Sequence, residues 1–352
     1  MRSLPQMALH GRGTWIFRGI LASVVTIAVI IGIIAVRQPS PPSMSAPTVS
    51  KAYSIPQQYL PYRLFVSDLE GGNVGLLGDA TLLVGGGPHG LALQPDGKVL
   101  WVTNANGSNV WLVDITKPQH PQVIAAIEVG AIPVHIVFTP NGATAYVTLF
   151  GADSITVVDV ASRKVTGHIM VPLGPHGIAI SPDGTTLYIA CPRSGALVIV
   201  DTQRQMVTET VAIAGGTQPY GVAISTDGSQ VYVTDVTFKR VLIIDTASQQ
   251  QIGAVPLPDK PALITIIPHT NKLAVSNGDG ISIISLATRM VIATIATPGL
   301  THGVSASFDG TYLFVATTTG QHISVITVAT VTLADSIAVG RYPIDIVSMP
   351  RN

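Results

Sequence analysis

From Pro88 onward, the apolar residues come in short runs that are separated by glycine, proline and aspartate. Residues 88–104 read PHGLALQPDGKVLWVTN, and residues 175–191 read PHGIAISPDGTTLYIAC. Runs rich in Val, Ile, Tyr and Thr between such turn residues predict β-strands, and the Asp-Gly pair between two runs predicts a tight hairpin. A third run follows and ends in aspartate, as at Asp114, and a fourth run leads into the next proline. Each unit therefore predicts a four-stranded antiparallel sheet.

This unit recurs through the rest of the chain with a nearly constant period. The units begin at Pro88, Pro133, Pro175, Pro219, Pro261, Thr301 and Pro343, so the spacings are 45, 42, 44, 42, 40 and 42 residues. A period near 42 residues with β-strand content indicates a propeller or another repeat array. Four strands in each repeat are typical of a propeller blade.

The two ends of the repeat region complement each other. Residues 343–349 supply a first strand and little more, whereas residues 63–67, 73–77 and 80–84 supply second, third and fourth strands. A blade built from both termini closes the ring and protects its sheet edges. The sequence therefore predicts an all-β fold, a seven-bladed β-propeller of four-stranded antiparallel blades over residues 62–352, in which both termini share the last blade.

The second strand of several repeats carries a recognisable phrase. WVTN at 101–104, YVTL at 146–149 and YVTD at 232–235 each follow a Pro-x-Gly or Asp/Asn-Gly element, and together they resemble the YVTN-type β-propeller repeat family. The resemblance covers residues 62 to 350. It implies the propeller fold but no single function, because similar propellers include surface-layer-like proteins, seven-bladed lactonases, amine dehydrogenase large subunits and haem d1-binding proteins.

The N-terminal part of the chain has a different character. Residues 19–36 contain no charged side chain, and 18 residues of helix span ~27 Å, enough to cross a membrane. Three arginines precede this segment and one follows it closely. This bias predicts a signal anchor with residues 1–18 in the cytoplasm and the propeller outside, in a single-pass protein of the cell membrane. A cleaved signal peptide is the alternative, but Pro47 after Ser45-Ala46 makes a poor cleavage site.

The amino-acid composition predicts a linker segment and argues against nucleic acid as a partner. Residues 37–61 are rich in proline and serine, which predicts an extended linker between membrane and propeller. The net charge is zero, so no basic excess favours nucleic acid. Cys191 is the single cysteine, so no intramolecular disulfide forms.

We expect a functional site at the loops that lead into the first strand of each blade, because these loops share one face of the ring beside the channel. A second set of loops, between second and third strands, reaches the same face. The candidate ligand-binding residues at this channel mouth are His89, His135, His176, Tyr220, His302, Tyr342, Asp345 and Arg193.

Four histidines at related positions of four blades raise the possibility of a metal or haem site. Neutral imidazole is a good ligand for zinc, copper and iron, so His89, His176 and His302 are the candidate ligands. The alternative is that Pro-His-Gly is a turn sequence of the repeat with a purely structural role. His135 also stands one position out of register with the other histidines.

Three functions remain open from the sequence. The first hypothesis is a non-enzymatic binding or scaffold module, because the repeat places variable loops on a rigid face. We favour this hypothesis. The alternatives are a metal- or haem-binding redox accessory protein and a lactonase-type hydrolase. No catalytic residue can be named, because the chain has no CxxCH, GxSxG or HExxH motif.

Overall fold

A computed structural model describes residues 48–50, 53–213 and 217–351, and these residues form a ring of seven antiparallel β-sheets. Six sheets have four strands, and the sheet that joins the two termini has five. The all-β, seven-bladed prediction is therefore confirmed. The predicted membrane-spanning segment 19–36 lies outside the described residues, and no helix within the described part of the chain is long and apolar enough to cross a membrane.

The first strands in chain order belong to the shared blade and to blade 1, and they are β1 (Thr48–Ser50), β2 (Tyr62–Asp68), β3 (Asn73–Leu76), β4 (Ala80–Leu83), β5 (Pro88–Leu93), β6 (Val99–Asn104), β7 (Asn109–Asp114) and β8 (Gln122–Glu128). Blades 2 and 3 consist of β9 (Pro133–Phe138), β10 (Thr144–Leu149), β11 (Ser154–Asp159), β12 (Lys164–Met170), β13 (Ile178–Ile180), β14 (Thr186–Cys191), β15 (Ala196–Asp201) and β16 (Met206–Ala212).

Blades 4 and 5 consist of β17 (Pro219–Ile224), β18 (Gln230–Asp235), β19 (Arg240–Asp245), β20 (Gln251–Pro256), β21 (Pro261–Ile267), β22 (Lys272–Asn277), β23 (Gly280–Ser285) and β24 (Met290–Ala296). The last strands are β25 (Thr301–Ala306), β26 (Tyr312–Thr317), β27 (His322–Thr327) and β28 (Thr332–Ala338) in blade 6, and β29 (Pro343–Pro350) in blade 7. A 3-10 helix at Gln57–Tyr59 precedes β2.

The aspartates of the repeat close the turns between strands. In the first hairpin of blade 4, Asp227 accepts hydrogen bonds from the Ser225 hydroxyl (2.6 Å) and the Ser229 amide (3.0 Å). These bonds stabilise the ionised carboxylate and lower the pKa of Asp227 to about 2. Gly228 follows with φ +73°, a backbone conformation that glycine adopts without strain. The Asp-Gly phrase therefore fixes the hairpin and with it the strand register.

The seventh blade is shared by both termini, as predicted. Strand β29 pairs antiparallel with β2, where Val66 lies opposite Ile346, and β3 and β4 complete the sheet. Ile344 and Ile346 are at most 1% exposed, so the C-terminal strand contributes directly to the core.

Part of the predicted linker packs against the propeller. Strand β1 adds to the outer edge of the shared blade through Val49 opposite Leu82. Tyr59 is fully buried, with its ring centroid 5.2 Å from that of Tyr312. Among the described residues of the segment 37–61, Tyr59 therefore packs into the core because burial of its aromatic ring is favourable. The linker between membrane and propeller stays a prediction.

The inner strands of neighbouring blades approach each other closely at the glycine of the Pro-His-Gly phrase. A Cβ atom at Gly90 would overlap the carbonyl oxygen of Val134, and one at Gly177 would overlap that of Tyr220. Only a residue without a side chain allows the inner strands to come so near. Glycine is therefore required for packing at these two junctions, whereas blade 2 has His135 at the same position.

A hydroxyl group joins the inner strands of adjacent blades at five of the seven junctions. In each case the residue at the third position of the YVT phrase donates to a carbonyl of the next blade: Ser67 to His89 (2.6 Å), Thr103 to Val134 (2.9 Å), Thr148 to His176 (2.9 Å), Thr234 to Ala262 (2.8 Å) and Ser276 to His302 (2.5 Å). The same oxygen accepts an amide from the inner strand of its own blade, as Thr234 does from Gly221 (2.7 Å). These interblade bridges are buried and use both functions of the hydroxyl.

Alanine replaces the hydroxyl residue at the other two junctions, and different bonds take over. Beside Ala190, the Gly177 amide donates directly to the Tyr220 carbonyl (3.0 Å). Beside Ala316, the His302 ring donates from Nδ1 to the Ile344 carbonyl (2.9 Å). Every junction of the ring thus has a polar link beside the channel.

The bridges predict a measurable loss of stability in Thr234→Val. Valine has a similar shape but leaves the Gly221 amide and the Ala262 carbonyl without this partner, so we expect the free energy of unfolding to fall by about 1–3 kcal/mol. Thr234→Ser is the matched control, because it keeps the hydroxyl and should retain most of the stability. Urea unfolding of the three proteins tests the prediction, and equal stability of Thr234→Val and wild type would contradict it.

Candidate functional site

The side chains at the channel mouth are directed by a register shift at the start of the inner strands. In blade 4, Pro219 pairs with Asp235 and Val222 pairs with Val233, and the register shifts between these pairs. Blades 1 and 6 show the same irregularity. A bulge of this kind re-aims a side chain, and here it brings His89, Tyr220 and His302 into one cluster.

Five rings meet in this cluster, which we call the ring cluster: His89, His135, His176, Tyr220 and His302. The ring centroids of His89 lie 5.5 Å from His135, 5.9 Å from His176 and 5.9 Å from His302. His176 stacks on Tyr220 at 3.8 Å. The structure therefore places the four histidines named from the sequence next to one another, while their role in binding stays a prediction.

His135 reaches the cluster although it stands one residue later in its strand than the other histidines. In blade 2, Val134 takes the position of His89 and His135 takes the position of Gly90. The His135 ring still lies 4.9 Å from that of His176. Hence the register difference does not direct this side chain away from the channel.

His302 is fully engaged in hydrogen bonds within the protein. Its Nδ1 donates to the Ile344 carbonyl, and its Nε2 lies 3.1 Å from the Tyr220 hydroxyl. Because a carbonyl can only accept, the proton resides on Nδ1, and the neutral ring accepts from the tyrosine at Nε2. His302 is therefore a structural link between blades 6 and 7.

The other three imidazoles each keep one buried nitrogen without a partner. These atoms are Nδ1 of His89, Nε2 of His135 and Nδ1 of His176. Such groups normally find a partner in a folded protein. They give the ring cluster a residual capacity for hydrogen bonding.

All four imidazoles are held neutral by their environment. Burial and, to a smaller extent, the neighbouring His302 lower the pKa of His135 to about 3. Burial also lowers the pKa of His302 to about 4, against the effect of its bond to Ile344. The pKa values of His89 and His176 lie well below the ordinary value for the same reason, with additional repulsion from the other histidines. The cluster therefore carries no charge at neutral pH.

The ring cluster gives no geometric support to the predicted metal or haem site. Over the described ranges, no group of three or more His, Cys, Asp or Glu side chains is arranged to hold a metal ion. His302, one of the three expected ligands, uses both of its nitrogens within the protein. Ligation through His89 and His176 stays a prediction that would require the rings to reorient.

Asp345 lies between blades 7 and 1 and holds backbone amides. Its two carboxylate oxygens accept hydrogen bonds from Leu91 (3.0 Å) and Ile346 (2.9 Å). Burial raises the pKa of Asp345 to about 7, although both amide bonds act in the opposite direction. Asp345 therefore has a structural role, because its carboxyl group binds the backbone of two inner strands.

Arg193 and Tyr342 lie on the rim, outside the ring cluster. The Arg193 guanidinium is exposed and sits 4.0 Å above the ring of Phe150, whose centroid is 6.3 Å from that of His176. Tyr342 is partly exposed, and burial together with Glu70 raises its pKa. The rim therefore offers an exposed cation and aromatic surface above closed rings.

Several acidic side chains of this face form hydrogen bonds that stabilise its loops. Asp68 accepts the backbone amides of Arg341 and Tyr342 (both 3.0 Å). Asp153 accepts the Gly174 amide (2.8 Å), and Asp235 binds the Arg240 side chain (2.8 Å). These carboxylates stabilise the face.

Sequence reasoning missed two features of the site. Phe150 supports Arg193, but it follows the YVTL strand as an isolated aromatic residue with no repeat counterpart. The bridging hydroxyls were also missed, although their signal is visible: Ser or Thr recurs at one position of the second strand.

The neutral cluster predicts that acid destabilises the fold. Unfolded histidine binds a proton below about pH 6.5, whereas the folded cluster stays neutral to lower pH. Between these limits the unfolded state binds more protons, so stability falls as pH falls, by up to about 1.4 kcal/mol per pH unit for each imidazole. Asp345 opposes this trend below about pH 7, because its folded carboxyl is protonated first.

Urea unfolding between pH 7.5 and 4.5 tests this prediction with His176→Gln. Loss of one titrating imidazole should flatten the pH dependence by about 1.4 kcal/mol per pH unit. His120→Gln is the control for replacing a histidine by glutamine, since His120 is exposed and lies outside the ring cluster. A His176→Gln slope equal to that of wild type would show that the cluster is not held neutral.

Comparison with known proteins agrees with the propeller fold. A sequence model of the family described as "Lactonase, 7-bladed beta-propeller" matches residues 84–244, which is less than half of the chain. No curated protein matches the sequence.

Three solved structures illustrate the likeness. Hydrazine synthase from Kuenenia stuttgartiensis is 22% identical with a TM-score of 0.67, covering 74% of this chain and 89% of that one. A functionally unknown protein from Desulfotomaculum acetoxidans is 16% identical with a TM-score of 0.72, covering 82% and 99%. A putative 6-phosphogluconolactonase from Bacteroides fragilis is 18% identical with a TM-score of 0.69, covering 84% and 99%. The chain is thus a seven-bladed β-propeller, similar over part of its length to the lactonase propeller family.

Proposed function

We propose that this protein is a binding module that takes its ligand on the rim of the channel mouth. The observation that carries the proposal is the ring cluster. His89, His176 and His302 are at most 5% exposed, and the partly buried His135 and Tyr220 pack against them, so neutral rings occupy the region below the rim. A ligand on this face contacts the loops and does not enter the channel.

The rim side chains support a ligand with a negatively charged group. Arg193 is exposed and makes no ion pair with the residues that the structure describes. Its guanidinium is held over Phe150, which leaves the donors free for a carboxylate or phosphate. Tyr342 adds a partly exposed ring and hydroxyl to the same face.

The N-terminal sequence supports a location at the membrane. The uncharged segment 19–36 and the arginines before it agree with a signal anchor. We propose a single-pass protein of the cell membrane that displays the propeller on the extracytoplasmic side, where the rim meets a protein or small-molecule partner.

Lactone hydrolysis is the second candidate, and the family match over residues 84–244 favours it. Activity would require an acid or base beside an electrophilic group at the rim. Glu70 and Arg193 are exposed on this face, whereas Asp345 is buried and bound to two amides. The binding proposal therefore accounts for more of the described face.

Residues Ser45–Asn352 form one compact unit that contains the propeller, and two assays on this propeller unit distinguish the candidates. The first is binding to an array of carboxylated and phosphorylated glycans and peptides, in which we expect Arg193→Ala to weaken the retained probes at least about tenfold, since the charged donors are lost. The second is hydrolysis of 6-phosphoglucono-δ-lactone followed by NMR, in which we expect the rate of the buffer alone.

Arg163→Ala serves as the matched control, because Arg163 is also exposed but lies in a turn between third and fourth strands. It should bind the array like wild type. Retention of no probe by wild type would overturn the binding proposal. Lactone hydrolysis that exceeds the buffer rate and disappears in Arg193→Ala would establish the second candidate instead.

A further inference from the structure

The outer strands of the blades differ in how their exposed edges are protected. Exposed charged residues stand on β8, β12 and β16, namely Glu128, Lys164 and Glu209. Charge on an edge strand discourages pairing with another chain. Strand β20 of blade 4 and strand β24 of blade 5 have no charged residue. The exposed positions of β24 are Met290, Ile292, Thr294 and Ala296, with Met290 62% and Ile292 48% exposed.

A second form of protection is also missing at β24. The turn between third and fourth strands contains a residue with positive φ, and in blades 2 and 5 this residue is an arginine that reaches the preceding blade. Arg163 donates to the Ile124 carbonyl (3.5 Å) on β8, and Arg289 donates to the Ile252 carbonyl (3.2 Å) on β20. In blade 6 the corresponding residue is Val331, with φ 55°. Val331 packs in an apolar cluster with Ala293 of β24 and has no side-chain donor.

The fold itself shows that an outer edge can accept another strand. In the shared blade, β1 pairs antiparallel with β4 and makes a five-stranded sheet. The strand order places β24 at the outer edge of its sheet, where it pairs with β23 alone. Blade 5 therefore presents the same kind of edge, and no strand among the described residues pairs with it.

We propose that β24 pairs antiparallel with β24 of a second copy of this chain. The sequence MVIATIA is self-complementary about Ala293: Met290 would face Ala296, and Ile292 would face Thr294. This register opposes no two charges and pairs β-branched residues across the strands. A twofold axis at Ala293 closes the contact after two copies, and the two blades form one continuous sheet.

The propeller unit Ser45–Asn352 contains every described strand and is compact on its own, so it can be tested without the N-terminal segment. Sedimentation equilibrium from 1 to 100 µM should show a dimer for the wild type. Ile292→Lys places a charge at the centre of the edge, and we expect the dimer dissociation constant to rise at least about tenfold.

Thr208→Lys is the matched control, because Thr208 occupies the corresponding exposed position on β16 and its substitution should leave the dimer intact. Circular dichroism of both variants confirms that the fold is retained. A wild type that stays monomeric at 100 µM overturns the proposal. So does a dimer that survives Ile292→Lys or that Thr208→Lys weakens equally.

Discussion

The ring depends on polar links between the inner strands of neighbouring blades. Each blade contributes an apolar face to its neighbour, but apolar packing alone does not fix where one strand meets the next. The bridging hydroxyls do so, because each one accepts an amide from its own blade and donates to a carbonyl of the following blade, as in Thr103 and Thr148. The glycine of the Pro-His-Gly phrase makes the approach possible. Two recurring features of the repeat, the hydroxyl of the second strand and the glycine of the first, thus hold inner strands of neighbouring blades together.

The ring cluster contributes one of these polar links between blades. His302 supplies the link to Ile344 where Ala316 offers no hydroxyl, and the other rings pack around it. Low pKa values follow from this burial, and they keep the channel uncharged. The cluster is therefore explained largely by structure, and the chemistry available to a ligand lies on the rim at Arg193, Phe150 and Tyr342.

Most of the fold could be predicted from the sequence, because the repeat encodes it directly. Asp-Gly turns and β-branched runs defined the strands, and the incomplete units at the two ends predicted the shared blade. The packing of Tyr59 could not be predicted. Its proline-rich neighbourhood indicates a linker, and its burial depends on contacts with distant residues in the tertiary structure. The site was predictable in position but not in role. Spacing brought the histidines together, whereas the use of both His302 nitrogens depends on Tyr220 and Ile344, which lie in other blades.

Native-state hydrogen exchange of the bridging amides tests the central account most directly. The amides of Gly90, Gly221 and Asp345 donate to the hydroxyls of Thr103, Thr234 and Ser67. If these bridges hold the ring, the three amides exchange only through global unfolding, with the same opening free energy as core-strand amides such as Val233. Exchange of these amides through local opening, orders of magnitude faster than Val233, would contradict the account.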